Sequence, residues 1–241
     1  MANTLFLRLE GPLQSWGERA RWSVRDTSSE PTKSGVTGLL GCALGINDDD
    51  RLRELSQALR MGVRCDQPGT RIIDYHTVGG GYNYPALLTA EGKPKISSGR
   101  PHTEQTWRHY LCNAAFLVAL QGEPDLIRRL ADATQDPRWP IYLGRKSCPP
   151  SRPPFDGVGD FPDLETSLTV YPLHPGLETD ETGTVRVRAI IECAPTEDGA
   201  VRRRDEILSH SRRTFAPRYT CEKHLILSGS LKEVDPCTSP D

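Results

Sequence analysis

The strongest constraint on this chain is the order in which its hydrophobic period changes over the first 147 residues. Residues 4–10 alternate with a period of two, Leu5, Leu7 and Leu9 facing one way and Thr4, Phe6 and Arg8 the other, which predicts a strand. Residues 31–35 lead into a short helix of small residues over 36–44. Glycines cost about 1 kcal/mol each inside a helix, so Gly38 and Gly41 predict close approach to a sheet. Asp48, Asp49 and Asp50 read as the cap and first turn of a helix reaching Arg60, with Leu52, Leu55 and Leu59 on one side. Strands are predicted at 62–66 and 70–78, then a strand–turn–strand or one long bent strand over 103–120. A helix follows at 124–134, with Leu126, Ile127, Leu130 and Ala131 inward, and a short strand at 141–144. The order β–α(α)–β–β–α–β is that of the ferredoxin-like split βαβ, an α+β fold.

Two stretches interrupt this pattern. Residues 79–102 form a long insertion rich in Gly, Pro and Lys, and an unpatterned segment of that length is usually functional. Residues 149–154 are a proline-rich break. Beyond it the chain reads as β-rich, with strands expected at 166–171, 185–192 and 220–227. The expected organisation is therefore a ferredoxin-like domain over 1–148, a smaller β-rich region over 149–230 and a flexible tail over 231–241. A length of 241 residues suits one or two domains. With 21 Gly and 20 Pro the chain is rich in turns, yet below the level of low-complexity sequences. Residues 114–120 are the longest apolar run, too short for a membrane span, and the first residues lack the pattern of a secretory signal. Seven cysteines without a C-x-x-C pair point to free thiols in a reducing cytoplasm. Cys42, Cys65 and Cys112 read as small core residues.

The net charge of −2 hides a segregation. Residues 155–200 hold ten acidic residues against two arginines, whereas 201–224 hold six arginines and one lysine against three acids. Such a split suits a basic binding face as well as ordinary solvated charge. Thr32, Lys33 and Ser34 precede a helix whose first N–H groups would face an anion, with Gly35 allowing close approach. Arg145, Lys146 and Ser147 follow the expected edge strand. Trp16, Trp107, Tyr110 and Tyr142 offer stacking planes interleaved with Arg19, Arg21, Arg25 and Arg108, a combination that favours single-stranded RNA. Metal and nucleotide motifs are absent: His102-Thr103-Glu104 lacks the P-C-x-x-C half of a zinc deaminase, and neither a P-loop nor a G-x-S-x-G elbow occurs. No cofactor is expected. Metal-free RNA cleavage stays open, with His76, His102 or His109 as acid or base and Lys93 or Lys95 as the cation.

Six blocks in order carry a resemblance. They are residues 7–17 (LRLEGPLQSWG), 31–41 (PTKSGVTGLLG), 63–66 (VRCD), 74–78 (DYHTV), 106–112 (TWRHYLC) and 142–149 (YLGRKSCP). Together they resemble the type I-E branch of the Cas-five superfamily of RAMP proteins, subunits of the CRISPR surveillance complex Cascade. Beyond residue 150 the likeness thins to 212–215 and the strand after it. The resemblance implies a RAMP domain that grips the 5′ handle of the CRISPR RNA, and a β-hairpin thumb, here 79–102, that packs on the CasC backbone subunit. It also implies contacts to the large subunit CasA and, in the assembled complex, to target DNA. The positions it carries over as RNA contacts are Lys33, Ser34, Arg108, Tyr142, Arg145 and Lys146, with Arg25, Trp107 and Arg213 behind them. Glu18, Asp26 and Glu30 dilute the charge of the loop before Pro31. Type I-E systems process the repeat with CasE, so a non-catalytic role is implied here. A type I-C relative does cleave repeat RNA with a Tyr, Lys and His set, but no aligned Lys–His pair lies between Arg64 and Tyr110. A metal-independent endoribonuclease is the alternative.

Overall fold

The computed structural model describes residues 1–18, 23–81 and 86–228. The tail over 231–241, Cys237, Arg19, Arg21 and part of the 79–102 insertion lie outside the described residues. In chain order the elements are β1 (Thr4–Gln14), β2 (Val24–Arg25), α1 (Lys33–Leu44), α2 (Asp49–Gln57), β3 (Arg60–Gln67), β4 (Thr70–Gly79), β5 (Ile96–Ser97), β6 (Arg100–Pro101) and β7 (Thr103–Gln121). They continue with α3 (Pro124–Gln135), β8 (Phe155–Gly159), α4 (Leu164–Val170), β9 (Thr184–Glu192), β10 (Val201–Ser209) and β11 (Thr214–Ser228). A large sheet runs in the order β10-β11-β9-β3-β7-β1-β8, each neighbouring pair antiparallel, with β4 also pairing β7 antiparallel and the short β2 pairing it in parallel. The molecule is thus mixed α/β, one large sheet with few helices.

The sheet is buried on both faces, which explains why β1 is apolar on one side and still enclosed on the other. Leu5, Leu7 and Leu9 pack with Val36, Leu40, Ile127 and Leu130 of α1 and α3. On the opposite face Phe6, Leu117 and Ala119 pack with Leu164 and Leu168 of α4 and with Val187 and Leu225. At ~1.5–3 kcal/mol for each large apolar side chain buried, these two layers are the main source of cohesion. On this second face Arg64 and Arg8 share Asp66: Arg64 Nε donates to Oδ1 at 2.6 Å and Arg8 Nη1 to Oδ2 at 3.1 Å. Arg64 also donates to the carbonyls of Leu168, Tyr171 and Pro172, and Arg8 to Asp156, so the buried charge is paired and the end of α4 is tied to the sheet.

β7 is a single strand of 19 residues, bent at Asn113, whose φ is +54°. Its C-terminal half lies between β1 and β3 in the core. Its N-terminal half pairs β4 from Thr70↔Cys112 to Gly79↔Thr103. β3 and β4 therefore run along β7 almost as one strand, broken at Pro68-Gly69, and β4 is exposed along nearly its whole length. The β5–β6 hairpin lies beyond its end.

Two sequence expectations are corrected. Residues 141–144 form no strand. Gly144 sits at φ +94°, Ser15 N–H donates to the Leu143 carbonyl, and Leu143 N–H donates to the Cys148 carbonyl, closing a tight loop. A Cβ at Gly144 would lie inside the Ser15 carbonyl, so glycine is required. The strand beside β1 is instead β8. Of residues 166–171, expected as a strand, 166–170 belong to α4 and Tyr171 is its C-cap. Asp163 caps that helix by accepting from Thr166 N–H at 2.7 Å, and Leu164 and Leu168 are buried one turn apart. The β-branched Thr and Val residues cost a helix only a few tenths of a kcal/mol, which this cap and burial outweigh. β10, which carries the arginine run 202–204, and β8 were not anticipated. No helix among the described residues is long and apolar enough to cross a membrane.

Candidate nucleic-acid interface

The N-terminus of α1, the end of β1, the 141–148 loop and the β10–β11 hairpin meet around a cleft. One chamber of about 280 Å³ is lined by residues that include Trp16, Arg25, Ser34, Gly144 and Arg145. A second, of about 1160 Å³, is lined by residues that include Arg202, Arg203, Arg204, Ser211 and Arg213. Gly17, His210 and Phe215 belong to the walls of both.

The cations around this cleft divide into two groups. The first holds the protein together. Lys33 is 3% exposed, and its ammonium lies 3.2 Å from Glu192 and 3.4 Å from Glu206. Arg145 donates to the carbonyls of His109, Arg25 and Asp26 while its guanidinium lies 4.7 Å over the Tyr110 ring. Arg203 pairs with Glu30 and Glu18, and Arg218 with Asp205. Burial pushes the Glu30 carboxyl up, but the hydrogen bond from Ser29 and the charges of Arg203 and Arg188 outweigh it and hold the group below its usual range. Glu30 is therefore a buried structural anion, not a dilution of the binding loop's charge.

The second group points outward. Arg202, Arg204, Arg213 and Lys146 are exposed, Arg25 is half-buried, and none of these side chains has an ion pair or hydrogen bond among the described residues. Arg213 sits at φ +51° in the β10–β11 turn. Among the described residues Arg108 is held only through Nε, to the Thr106 hydroxyl at 3.3 Å. The parallel pairing of β2 with β7 sets Arg25 beside Arg108, and Arg145 fixes the Arg25 backbone from the other side.

Several sequence-predicted features stand differently in the fold. The α1 N-terminus already holds an anion, the protein's own. Asp205 is 1% exposed and accepts from Lys33 N–H at 2.8 Å, and Thr32 accepts from Gly35 N–H. Burial raises the Asp205 carboxyl, yet the Arg218 hydrogen bonds and charge more than offset that and leave it lowered. Gly35 is required by Trp16, because a Cβ there would lie 2.8 Å from the ring. Trp16, 1% exposed with its indole N–H on Gln14, and Tyr110, 2% exposed, are core aromatics and offer no open face for a base. Trp107 is 41% exposed beside Tyr75, but it projects from the opposite face of β7 to Arg108. Tyr142 is half-buried on the Arg145 loop, and neither it nor Lys146 lines the cleft. Arg202, Arg204 and His210 were missed as site residues. Their only sequence signal was the basic excess over 201–224.

His76 contacts Asp74, and His102 lies 3.2 Å from Glu104, which Lys95 also reaches at 2.8 Å. Opposite His76 is Thr106, so His102 lies four residues further along the ribbon, about 13 Å at ~3.3 Å per residue. The two histidines do not converge.

The family described as CRISPR-associated protein (Cas_Cas5) matches residues 4–220. The CRISPR system Cascade subunit CasD of Escherichia coli (strain K12) is 39% identical over 199 residues, covering 76% of this chain and 84% of that protein. A chain of a solved CRISPR RNA-guided surveillance complex superposes with a TM-score of 0.78 at 30% identity, covering 97% of this chain and 95% of that one. A second solved structure, described as a Cas protein, gives a TM-score of 0.65 at 35% identity over 97% of this chain and all of that one.

Proposed function

This chain belongs to the Cas5 family of CRISPR-associated proteins, and from that premise we propose that it is a non-catalytic, RNA-binding subunit of a type I-E Cascade complex in the cytoplasm. In this reading it caps the 5′ handle of the CRISPR RNA. It also contacts the CasC backbone and the CasA large subunit, and guide pairing reads the target DNA. The observation that carries the reading is the cleft, whose walls present Arg202, Arg204, Arg213 and Arg25 with no ion pair among the described residues, in excess over the Glu18 and Asp26 carboxylates that also line it. Unpaired guanidinium groups beside a concave surface suit phosphates of a single strand, and Arg108 extends the same basic track. Ser34 offers a hydroxyl at the cleft wall, Lys146 and Tyr142 border it, and Trp107 provides a stacking plane on the other face of β7. Lys33 and Arg145 serve the same site as positioning residues.

The order β8-β1-β7-β3, with α1 and α3 on one face, supports a ferredoxin-like core that begins in residues 1–148 and takes its fourth strand, β8, from beyond them. Residues 149–230 would then add the second wall of the cleft. The exposed β4–β7 ribbon and the 79–102 segment beyond it would form the thumb toward CasC. The separation of His76 from His102, each beside a carboxylate, weighs against the endoribonuclease alternative.

The test incubates the purified chain with 5′-labelled cognate repeat RNA in EDTA, resolved on native and denaturing gels. Retarded, intact RNA is expected, with retardation lost on charge removal at the cleft arginines. A discrete product abolished by a His76 or His102 substitution would replace this function with repeat processing. If binding appears only on co-expression with CasC, the handle site is shared with that subunit, and the isolated-chain form of the proposal is overturned.

A further inference from the structure

One cluster of chemically active side chains lies apart from the cleft. Cys193 continues β9, and its N–H donates to the Tyr219 carbonyl at 3.0 Å. Cys221 lies two residues beyond Tyr219 on β11. Glu197 stands in the turn between β9 and β10. The two sulfurs and a Glu197 carboxylate oxygen all lie within 4.8 Å of one another, and Sγ of Cys221 is 2.7 Å from that of Cys193 and 3.7 Å from the Asp198 carbonyl. We propose that Cys193, Cys221 and Glu197 bind one thiophilic divalent cation, Zn²⁺ in the first instance.

The donor set is the reason. Two thiolates with one carboxylate select a borderline-soft ion, and three protein ligands leave the fourth tetrahedral position to water. At Zn–S distances of about 2.3 Å a tetrahedral ion holds its sulfurs about 3.8 Å apart, so the thiols must part by rotating about Cα–Cβ. Cys193 is half-buried and Glu197 exposed, which leaves them room to move. Lys223 competes little for Glu197, being 4.0 Å from it and 2.7 Å from Glu165. Thiols bind such an ion as thiolates, so binding releases two thiol protons to solvent as two Zn–S bonds form, with no change of oxidation state. The ion would tie the β9–β10 turn to β11 and so brace the hairpin that carries Arg202 and Arg204. Cys193 and Glu197 are four residues apart and Cys221 much further along, a spacing that matches no common metal motif.

The experiment titrates the reduced, chelator-treated full chain with Co²⁺ as the spectroscopic probe, then with Zn²⁺. One equivalent of Co²⁺ should produce thiolate-to-metal charge-transfer absorbance that Zn²⁺ displaces. That band should vanish in Cys193→Ser and in Cys221→Ser, and need more Co²⁺ in Glu197→Gln, an exposed position where folding is not at stake. Circular dichroism establishes that each variant is folded. Absence of the band, or its persistence in the double cysteine variant, overturns the proposal. So does a metal-free chain lighter by two hydrogens in which neither thiol reacts, because the pair is then a disulfide.

Discussion

Lys33 and the cleft arginines are both basic residues of the same region, yet the structure predicts opposite consequences for removing them. In Lys33→Met, Glu192 and Glu206 lose an ammonium at 3.2 and 3.4 Å, with Lys33 itself 3% exposed. Glu192 keeps Arg218 at 3.7 Å, whereas Glu206 has no other ion pair among the described residues. A hydrogen bond to a buried charged group contributes ~1.5–3 kcal/mol, so the variant should lose about 2 kcal/mol. For a chain of this length that lowers Tm by about 4–8 °C. Its RNA salt dependence should not move. In the triple variant R202A/R204A/R213A, three side chains with no ion pair or hydrogen bond among the described residues are removed, so Tm should change little. Each lost phosphate contact on a single strand removes ~0.7 from the slope of log K against log salt, a loss of about two units. Between 50 and 200 mM salt, the variant should then lose affinity about 16-fold less than the parent. Thermal unfolding and filter binding across that salt range measure both quantities. If Lys33→Met flattens the slope and leaves Tm unchanged, the division of cations into internal and outward groups is wrong. If the triple variant keeps the parental slope, the cleft is not the RNA path.

Other perturbations test the frame around the site. Asp66→Asn leaves the buried Arg64 guanidinium without a carboxylate, while Arg8 keeps Asp156, and should cost about 3–5 kcal/mol, measured by urea denaturation; a loss below 1 kcal/mol would contradict the pairing of Arg64 and Arg8 through Asp66. Glu30 and Asp205 both titrate below their usual range in the folded state. Their stabilisation is therefore full above the unfolded carboxylate pKa near ~4 and falls away as pH drops through the lower folded values. Urea midpoints from pH 7 to pH 3 should decline at the acid end, and less so in E30Q/D205N relative to its own neutral-pH midpoint. Gly35→Ala should destabilise by ~1–3 kcal/mol through overpacking on Trp16, despite its gain in helix propensity, with altered tryptophan fluorescence; a stabilised variant would refute that contact. Deleting residues 82–100 should leave Tm and far-ultraviolet dichroism near parental and impair assembly with CasC, whereas an unfolded product would make the segment part of the core.

The sequence by itself determined what is decided within a few residues. The alternation of β1, the Asp48 cap with Leu52 and Leu55 of α2, and the buried stripe of α3 all appear where their periods place them. The ordered blocks over residues 7–149 were enough for the family. Elements whose local signal competes with distant contacts came out differently. Residues 166–170 look β-branched, but α4 is held by its Asp163 cap and by packing on a sheet whose strands come from both earlier and later in the chain. Residues 141–144 look like a strand, but Ser15 and Cys148 take their backbone groups. The candidate site shows the same limit. A basic run announces charge without saying where it goes: Lys33 meets Glu192 and Glu206, while Arg202 and Arg204 meet solvent. Trp16 and Tyr110 likewise are aromatic in any reading, and only the fold encloses them. The partners of Lys33 lie more than 150 positions away, and tertiary packing alone brings them within a few ångströms.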